Sequence, residues 1–456
     1  MLQFRPRRGA KVKIYGLENR PPHRPLQSSS CRPLSAGHRK TRTRPSIRAG
    51  AGGAPQIIPA LILILLLVFP STGCWDKKEI EDLAFLTAWG LDREEDNEIL
   101  ASAVIVKPFA LAGPAGEGGT SSERPFWLAK SSGRTVLEAM CNFAIFAPRF
   151  IFCAHSRVLV FGEESAREGV GEMLDFFKRN REPRLTTNLI VAKGITAAEF
   201  LKSEYELVQL PPEGGLGTLQ NAAERLGTTI DININDFLIM LEEEGIEPVA
   251  GCWEVIPKRP VPLEGELQRE EIVQSPITNG AAAFKGDRLV GWLDPKETRG
   301  LQWIREEIKS TPLIIENPAD TSTLLGIEVV RARSALTPSI VKGEPRLHIE
   351  IELEGNIDEA QGRFDPEKEP RLIKEIEGRL AEVVEKEIKA VLHRGQQELN
   401  TDIFGFGAAI NRSYPKEWKR LKKRWDTEFP RLDVSLDIKT HIRLSGMIIK
   451  SIKREK

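Results

Sequence analysis

The chain has 456 residues, with 65 Lys+Arg against 65 Asp+Glu and a formal net charge of zero. Taken alone, that balance argues against a nucleic-acid binder, which usually carries a basic excess. At 41% hydrophobic and 29% charged residues, the composition excludes both a polytopic membrane protein and an acidic disordered chain.

The neutral total hides an asymmetry. Residues 1–50 hold 13 basic side chains and one acid, Glu18, a net +12; residues 51–73 carry no charge, so 74–456 sum to −12. Residues 1–50 are rich in Arg, Pro and Ser, lack an apolar period and predict a basic, disordered leader. Its sharper readings are a nucleic-acid arm or a twin-arginine export signal. The preferred one is an overextended start upstream of the true signal peptide, because ordinary basic n-regions are short.

Residues 60–69, ALILILLLVF, are ten consecutive apolar residues. A helix needs about 20 to span a bilayer, so the run predicts the h-region of a signal peptide within 51–73. It is followed by Ser71-Thr72-Gly73-Cys74, small residues before a cysteine, which resemble a bacterial lipobox with Ser71 in the usual Leu position. The expectation is cleavage before Cys74 and lipidation, including palmitate, on its sulfur; two acyl chains hold a protein on a membrane where one is marginal.

The body alternates strand and helix signals. Residues 84–92 and 98–107 predict a hairpin, 110–125 a Gly/Ser/Pro-rich loop and 135–146 a helix. Residues 156–161 predict a strand, 163–179 one amphipathic helix and 189–192 a short strand. Thr196 with Glu199 predicts a capping box. Residues 211–217, PPEGGLG, read as a break before helices at 217–226 and 235–244 and a strand at 249–256. The polar stretch 257–276 is the predicted domain boundary. Residues 281–285 and 288–293 flank Gly286-Asp287, a two-residue hairpin turn. Asp294, Pro295 and Glu297 then open a helix expected to reach Ile308. Strict alternation at 347–353 predicts a strand with one buried face, 372–392 a helix of about seven turns with one apolar stripe, and 434–444 a final strand exposed on one side. The expected fold class is α+β: up to three domains, each a largely antiparallel or mixed sheet packed by helices. The divisions are 74–258 and 275–452.

Chemistry is sparse. The five cysteines, Cys31, Cys74, Cys141, Cys153 and Cys252, are too few and scattered for a disulfide scaffold, and no CxxC pair indicates zinc. Cys141 and Cys153 lie in apolar contexts that favour structural thiols over a nucleophile; a Cys153–His155 pair and a Cys141–Cys153 disulfide are the weaker alternatives. His155 reads as a buried, hydrogen-bonded side chain, and His348 and His441 fall on polar strand faces. With His393, these show no ligand spacing. Phe404-Gly405-Phe406-Gly407 reads as a tight loop docking two aromatics. Glu242-Glu243-Glu244 reads as a solvated face. The basic run 416–424 could touch lipid headgroups, but with Trp418 and Trp425 seven apart it reads first as an ordinary amphipathic surface helix. No catalytic residue, cofactor or metal is expected.

Taken together, the motifs resemble a known family. Gly73-Cys74-Trp75-Asp76 with Glu79-Ile80, followed by Gly90-Leu91-Asp92, resembles the start of mature Ger(x)C-family spore germination lipoproteins. The segments 133–139, 155–163, 280–293 with 297–301, and 402–407 with Pro415, Trp418 and Trp425 continue the resemblance in order. It implies the C subunit of a spore germinant receptor. This would be a non-enzymatic lipoprotein on the outer face of the spore inner membrane, partnered by polytopic A and B subunits, with no nucleic acid and three α/β domains. The alternative weighed is a solute-binding lipoprotein of an envelope transporter, disfavoured because the long alternating strands point to one-sided antiparallel sheets.

Overall fold

The computed structural model describes residues 79–108, 124–203, 210–258, 273–362 and 370–444. The leader, the h-region, Cys74 and most of the 110–125 loop lie outside the described residues. The described chain from Leu83 onward belongs to one compact unit.

Among the described residues, nine strands form the larger sheet. They are β1 (Leu83–Arg93), β2 (Ile99–Val106), β3 (Phe126–Gly133), β4 (Phe150–Phe152), β5 (Val158–Gly162), β6 (Asn188–Ala192), β7 (Val249–Lys258), β8 (Val273–Lys285) and β9 (Arg288–Leu293). The order is β3-β2-β1-β5-β6-β7-β8-β9, with β4 beside the start of β1. The 84–107 hairpin is antiparallel as expected. The centre, β1-β5-β6-β7, is parallel, because helical crossovers return the chain to the same edge.

Those central strands are buried on both faces, and alternation sorts their side chains into two cores. Leu159, Phe161, Leu189 and Val191 join one core with Trp89 and Phe177; Val158, Val160, Ile190 and Ala192 join the other with Trp253 and Phe200. A continuous apolar run is what such a doubly covered strand requires.

The smaller sheet holds β10 (Thr311–Asn317), β11 (Asp320–Val341), β12 (Glu344–Ala360) and β13 (Asp433–Leu444) in chain order. Leu347, Ile349, Ile351 and Leu353 are buried while His348, Glu350 and Glu352 are exposed. The buried face packs the helices Pro295–Arg305 and Arg371–His393. β13 runs parallel to β12 because the Arg371–His393 helix and its successors carry the chain back across the sheet, so both sheets are mixed in orientation. The smaller sheet is one-sided and antiparallel but for the β12–β13 pair, and both sheets fall within the expected α+β class of largely antiparallel or mixed sheets packed by helices.

Three local expectations also change. Residues 163–179 form two helices, Glu163–Glu168 and Gly171–Arg179. The break is at Gly169, with φ of 125°, where a Cβ would sit 2.8 Å from the Asp287 carboxylate. Asp287 in turn accepts from Gly171 N–H at 3.0 Å, so a turn residue over 100 positions away sets the helix start. The PPEGGLG stretch is no break: it forms the first turns of the helix Pro211–Leu226, with proline at the first positions where no amide partner is needed. The helix opened by Asp294 ends at Arg305, and Glu306 takes a left-handed conformation with φ of 59°. The stretch 257–276, expected as a domain boundary, joins two strands that pair with each other, β7 and β8. The predicted capping box of Thr196 with Glu199 forms, and Asp294, at the expected N-cap, makes a second one with Glu297.

Candidate functional site: a polar seam between the sheets

The motifs singled out in the sequence converge where the β7–β9 end of the larger sheet meets the segment 394–432. Thr401 Oγ1 donates to the Phe284 carbonyl of β8. The Arg394 guanidinium donates to the Trp292 carbonyl of β9 at 3.1 and 3.2 Å. Lys285 pairs with Asp426 at 2.9 Å. Glu247 N–H donates to the Asp402 carbonyl, and the Glu247 carboxylate accepts from Gly286 N–H at 2.6 Å.

Asp402 is the centre of the seam. Its side chain is buried. Oδ1 accepts from Gly405 and Phe406 N–H, both at 3.0 Å. Oδ2 accepts from Gly407 N–H at 2.8 Å and Trp425 Nε1 at 3.1 Å. The loop 402–407 wraps its amides around one carboxylate and thereby opens the helix Phe406–Ser413. Burial pushes the Asp402 carboxyl up to about 7, against the pull of its donors. Phe404 and Phe406 stack at 4.8 Å beneath the loop and are fully buried, as the sequence reading expected.

Two features read as separate surface elements prove to be partners. Glu244 accepts from Lys422 at 2.8 Å and from Trp418 Nε1 at 3.2 Å, and Glu243 pairs with Arg412 at 3.1 Å. Glu244 therefore faces the basic run while Glu242 pairs with Lys178, and Lys422 with Trp418 holds the Glu244 carboxyl below its ordinary value. This closeness depends on glycine. Gly245 has φ of 88°, its carbonyl accepts from Ala408 N–H at 2.8 Å, and a Cβ there would collide with the Gly407 backbone. Trp418 is buried and meets Trp425 edge to face at 5.2 Å. The tryptophans thus belong to the core, with Lys416, Lys419 and Lys423 exposed.

A second buried cluster lies between the Pro295–Arg305 and Arg371–His393 helices. Glu387 receives Arg299 through both guanidinium arms, with Nε at 3.0 Å, and Trp303 Nε1 at 3.0 Å. Arg299 also donates to Thr311 of β10 at 3.3 Å. A third buried acid, Asp92, accepts from Ala197 and Ala198 N–H at 2.7 and 2.9 Å; burial raises its carboxyl above the usual range, opposed by those two amides. Sequence reasoning named none of these three acids as a site. The available signal was the motifs G-L-D and D-I-F-G-F-G, which hold Asp92 and Asp402, and E-T-R-G, which holds Arg299, the partner of Glu387.

The remaining candidates are dispersed. Cys141, Cys153 and Cys252 are free thiols, so no Cys141–Cys153 disulfide forms. Cys141 is exposed, contrary to its apolar sequence context. Burial pushes the Cys153 thiol far above its ordinary value and the Cys252 thiol up to about 12, which suits structural thiols. His155 is exposed, stacked edge-on against Phe85 at 5.6 Å rather than buried. His348 contacts Ser435 at 2.9 Å, His393 pairs with Glu398 at 3.1 Å, and His441 is exposed. Among the described residues no group of three His, Cys, Asp or Glu side chains converges on a metal-sized site, and no helix is long and apolar enough to cross a membrane. The polar clusters bind elements of the chain to one another, and that cohesion is what their geometry accomplishes.

This is an α+β protein whose described parts form two mixed sheets locked by buried carboxylates. Residues 76–254 match the family described as spore germination protein N-terminal domain, and residues 279–446 match the family described as spore germination B3/GerAC like, C-terminal. The two matches together take in most of the chain, which belongs to the GerAC-like family of spore germination proteins. Relatives align with it over nearly their whole length. Spore germination protein KC of Bacillus subtilis is 29% identical over 88% of this chain and 98% of its own. Spore germination protein B3 of the same organism is 23% identical over 85% and 98%, and spore germination protein A3 is 20% identical over 82% and 93%. The crystal structure of the GerBC protein aligns with a TM-score of 0.47 at 21% identity, over 80% of this chain and 99% of that one.

Proposed function

We propose that this chain is the lipid-anchored, non-enzymatic subunit of a membrane germinant receptor, acting with polytopic A and B subunits on the outer face of the spore inner membrane. The observation that carries the reading is the pair of germination-family matches in order along one chain, with relatives aligned over nearly their whole length. In this reading Cys74, directly after the 60–69 apolar run, is the residue that carries palmitate and holds the protein on the membrane. The sequence divisions 74–258 and 275–452 are proposed as the two modules joined in this family. The pairing of β7 with β8 makes the junction between them a sheet rather than a free hinge.

The test is labelling in a spore-forming host. Wild-type chain should incorporate palmitate, sediment with membranes and co-purify with polytopic receptor subunits. Cys74→Ala should lose the label and leave the membrane pellet. Unchanged label and sedimentation in Cys74→Ala would reject the anchor. A lipidated chain that never co-purifies with polytopic partners would reject the receptor.

A further inference from the structure

The region 136–150 presents an unusual surface. Its helix, Val136–Asn142, buries Val136 and Ala139 and turns Leu137 and Cys141 outward on one face. Leu137 is 57% exposed, Ile145 81%, Phe146 47% and Phe150 45%. Single exposed apolar residues are ordinary, but four large ones within 14 positions of one chain are the kind of grouping that marks a contact surface. The grouping is held firmly: Phe146 packs edge-on against Trp127 at 5.9 Å and Phe143 at 5.8 Å.

Its position in the chain says what covers it. Phe150 opens β4 and pairs in register with Leu83, the first residue of β1. Leu83 lies nine residues after Cys74. Nine residues reach at most about 30 Å when fully extended. A lipid on Cys74 would therefore hold this edge of the sheet close to the bilayer. Arg149, exposed, directly precedes Phe150 in the chain, and exposed Arg157 follows it by seven positions. Apolar groups bordered by arginine are the composition that seats at the boundary between headgroups and acyl chains.

We propose that Leu137, Ile145, Phe146 and Phe150 form a membrane-contacting surface that enters the lipid interface when the chain is anchored through Cys74, fixing which way the sheets face from the membrane. The proposal rests on the lipidation of Cys74 proposed above. Because the contact is mainly apolar, it operates despite the −12 of the body and resists salt.

The experiment uses the full lipidated chain in a Cys31→Ser background, reconstituted into vesicles of phosphatidylethanolamine and phosphatidylglycerol. An environment-sensitive fluorophore on Cys141 reports depth, since Cys153 and Cys252 are buried. Lipids brominated along their acyl chains should quench the probe at least twofold. Leu137→Asp combined with Ile145→Asp should abolish most of that quenching. Both positions are more than half exposed, and circular dichroism should confirm an unchanged fold. Vesicle-bound wild type with an unquenched probe would overturn the proposal. So would a probe shielded only in native membranes holding other receptor subunits, which would assign the surface to a protein partner. Palmitate retained by Cys74→Ala in parallel preparations would refute the anchor alone, leaving the probe to judge the surface.

Discussion

Replacing Asp402 by alanine tests the seam directly. The substitution strands four donors, the amides of Gly405, Phe406 and Gly407 and the Trp425 indole N–H. A buried donor left without a partner costs about 1–3 kcal/mol. With partial relaxation and some water entry, the lower end applies, and the loss at pH 5 should be about 4 kcal/mol. The pH dependence follows from the raised carboxyl, at about 7 against 3.8 unfolded. A group raised on folding gives its full stabilisation below its unfolded value and loses it as pH climbs through the folded one. Wild-type stability from this group should therefore fall between about pH 4 and pH 7, by roughly 1.4 kcal/mol per unit within that window. Alanine has no such component, so the gap between wild type and variant should narrow from pH 5 to pH 8. Equilibrium urea unfolding of the full chain, followed by circular dichroism and tryptophan fluorescence, measures both quantities. A loss under about 1 kcal/mol at pH 5 would refute the account of the donors. A gap that widens with pH would show that the donors outweigh burial.

Removing one side of the Arg299–Glu387 cluster should be similarly severe. Glu387→Ala takes the carboxylate from the largely buried Arg299 guanidinium, which keeps its Thr311 contact, and leaves the Trp303 indole N–H unpaired; thermal unfolding should register a loss of about 3 kcal/mol. Gly245→Ala combines a left-handed backbone with a collision against Gly407; it should lower the melting temperature by several degrees and weaken protection of the 402–408 amides in hydrogen exchange. Lys422→Ala, at an exposed pair, should change stability only slightly, and the change should vanish in high salt. In the folded protein, thiol reagents should modify Cys141 quickly and leave Cys153 and Cys252 unmodified until unfolding.

Much of the fold was legible because local chemistry agreed with tertiary need. The alternation at 347–353 gave a correct strand and correct buried face, and Asp294-Pro295-x-Glu297 gave a correct helix start. What failed depended on distant residues. The break at Gly169 is fixed by Asp287, and the direction of β13 by a crossover that alternation cannot encode. The strands β10 and β11 went unread. β10 carries Pro312 on an exposed edge position, and in β11 register shifts after Gly326 and Val329 change which residues face the core. Asp402 was quoted as part of a motif without a role, because no spacing rule announces a carboxylate that collects amides three to five residues ahead. The acidic triplet and the basic run were each read as solvated, since pairing across about 170 positions leaves no local trace.

The central claim is that this chain serves nutrient-triggered germination as a receptor subunit. Its most direct test is deletion of the gene in its own spore former, followed by the loss of optical density of heat-activated spores on nutrient addition. The account predicts normal sporulation and heat resistance with a lost or shifted response to at least one nutrient, restored by the wild-type chain and not by Cys74→Ala. Spores that germinate normally on every nutrient, with impaired solute uptake in growing cells instead, would contradict it.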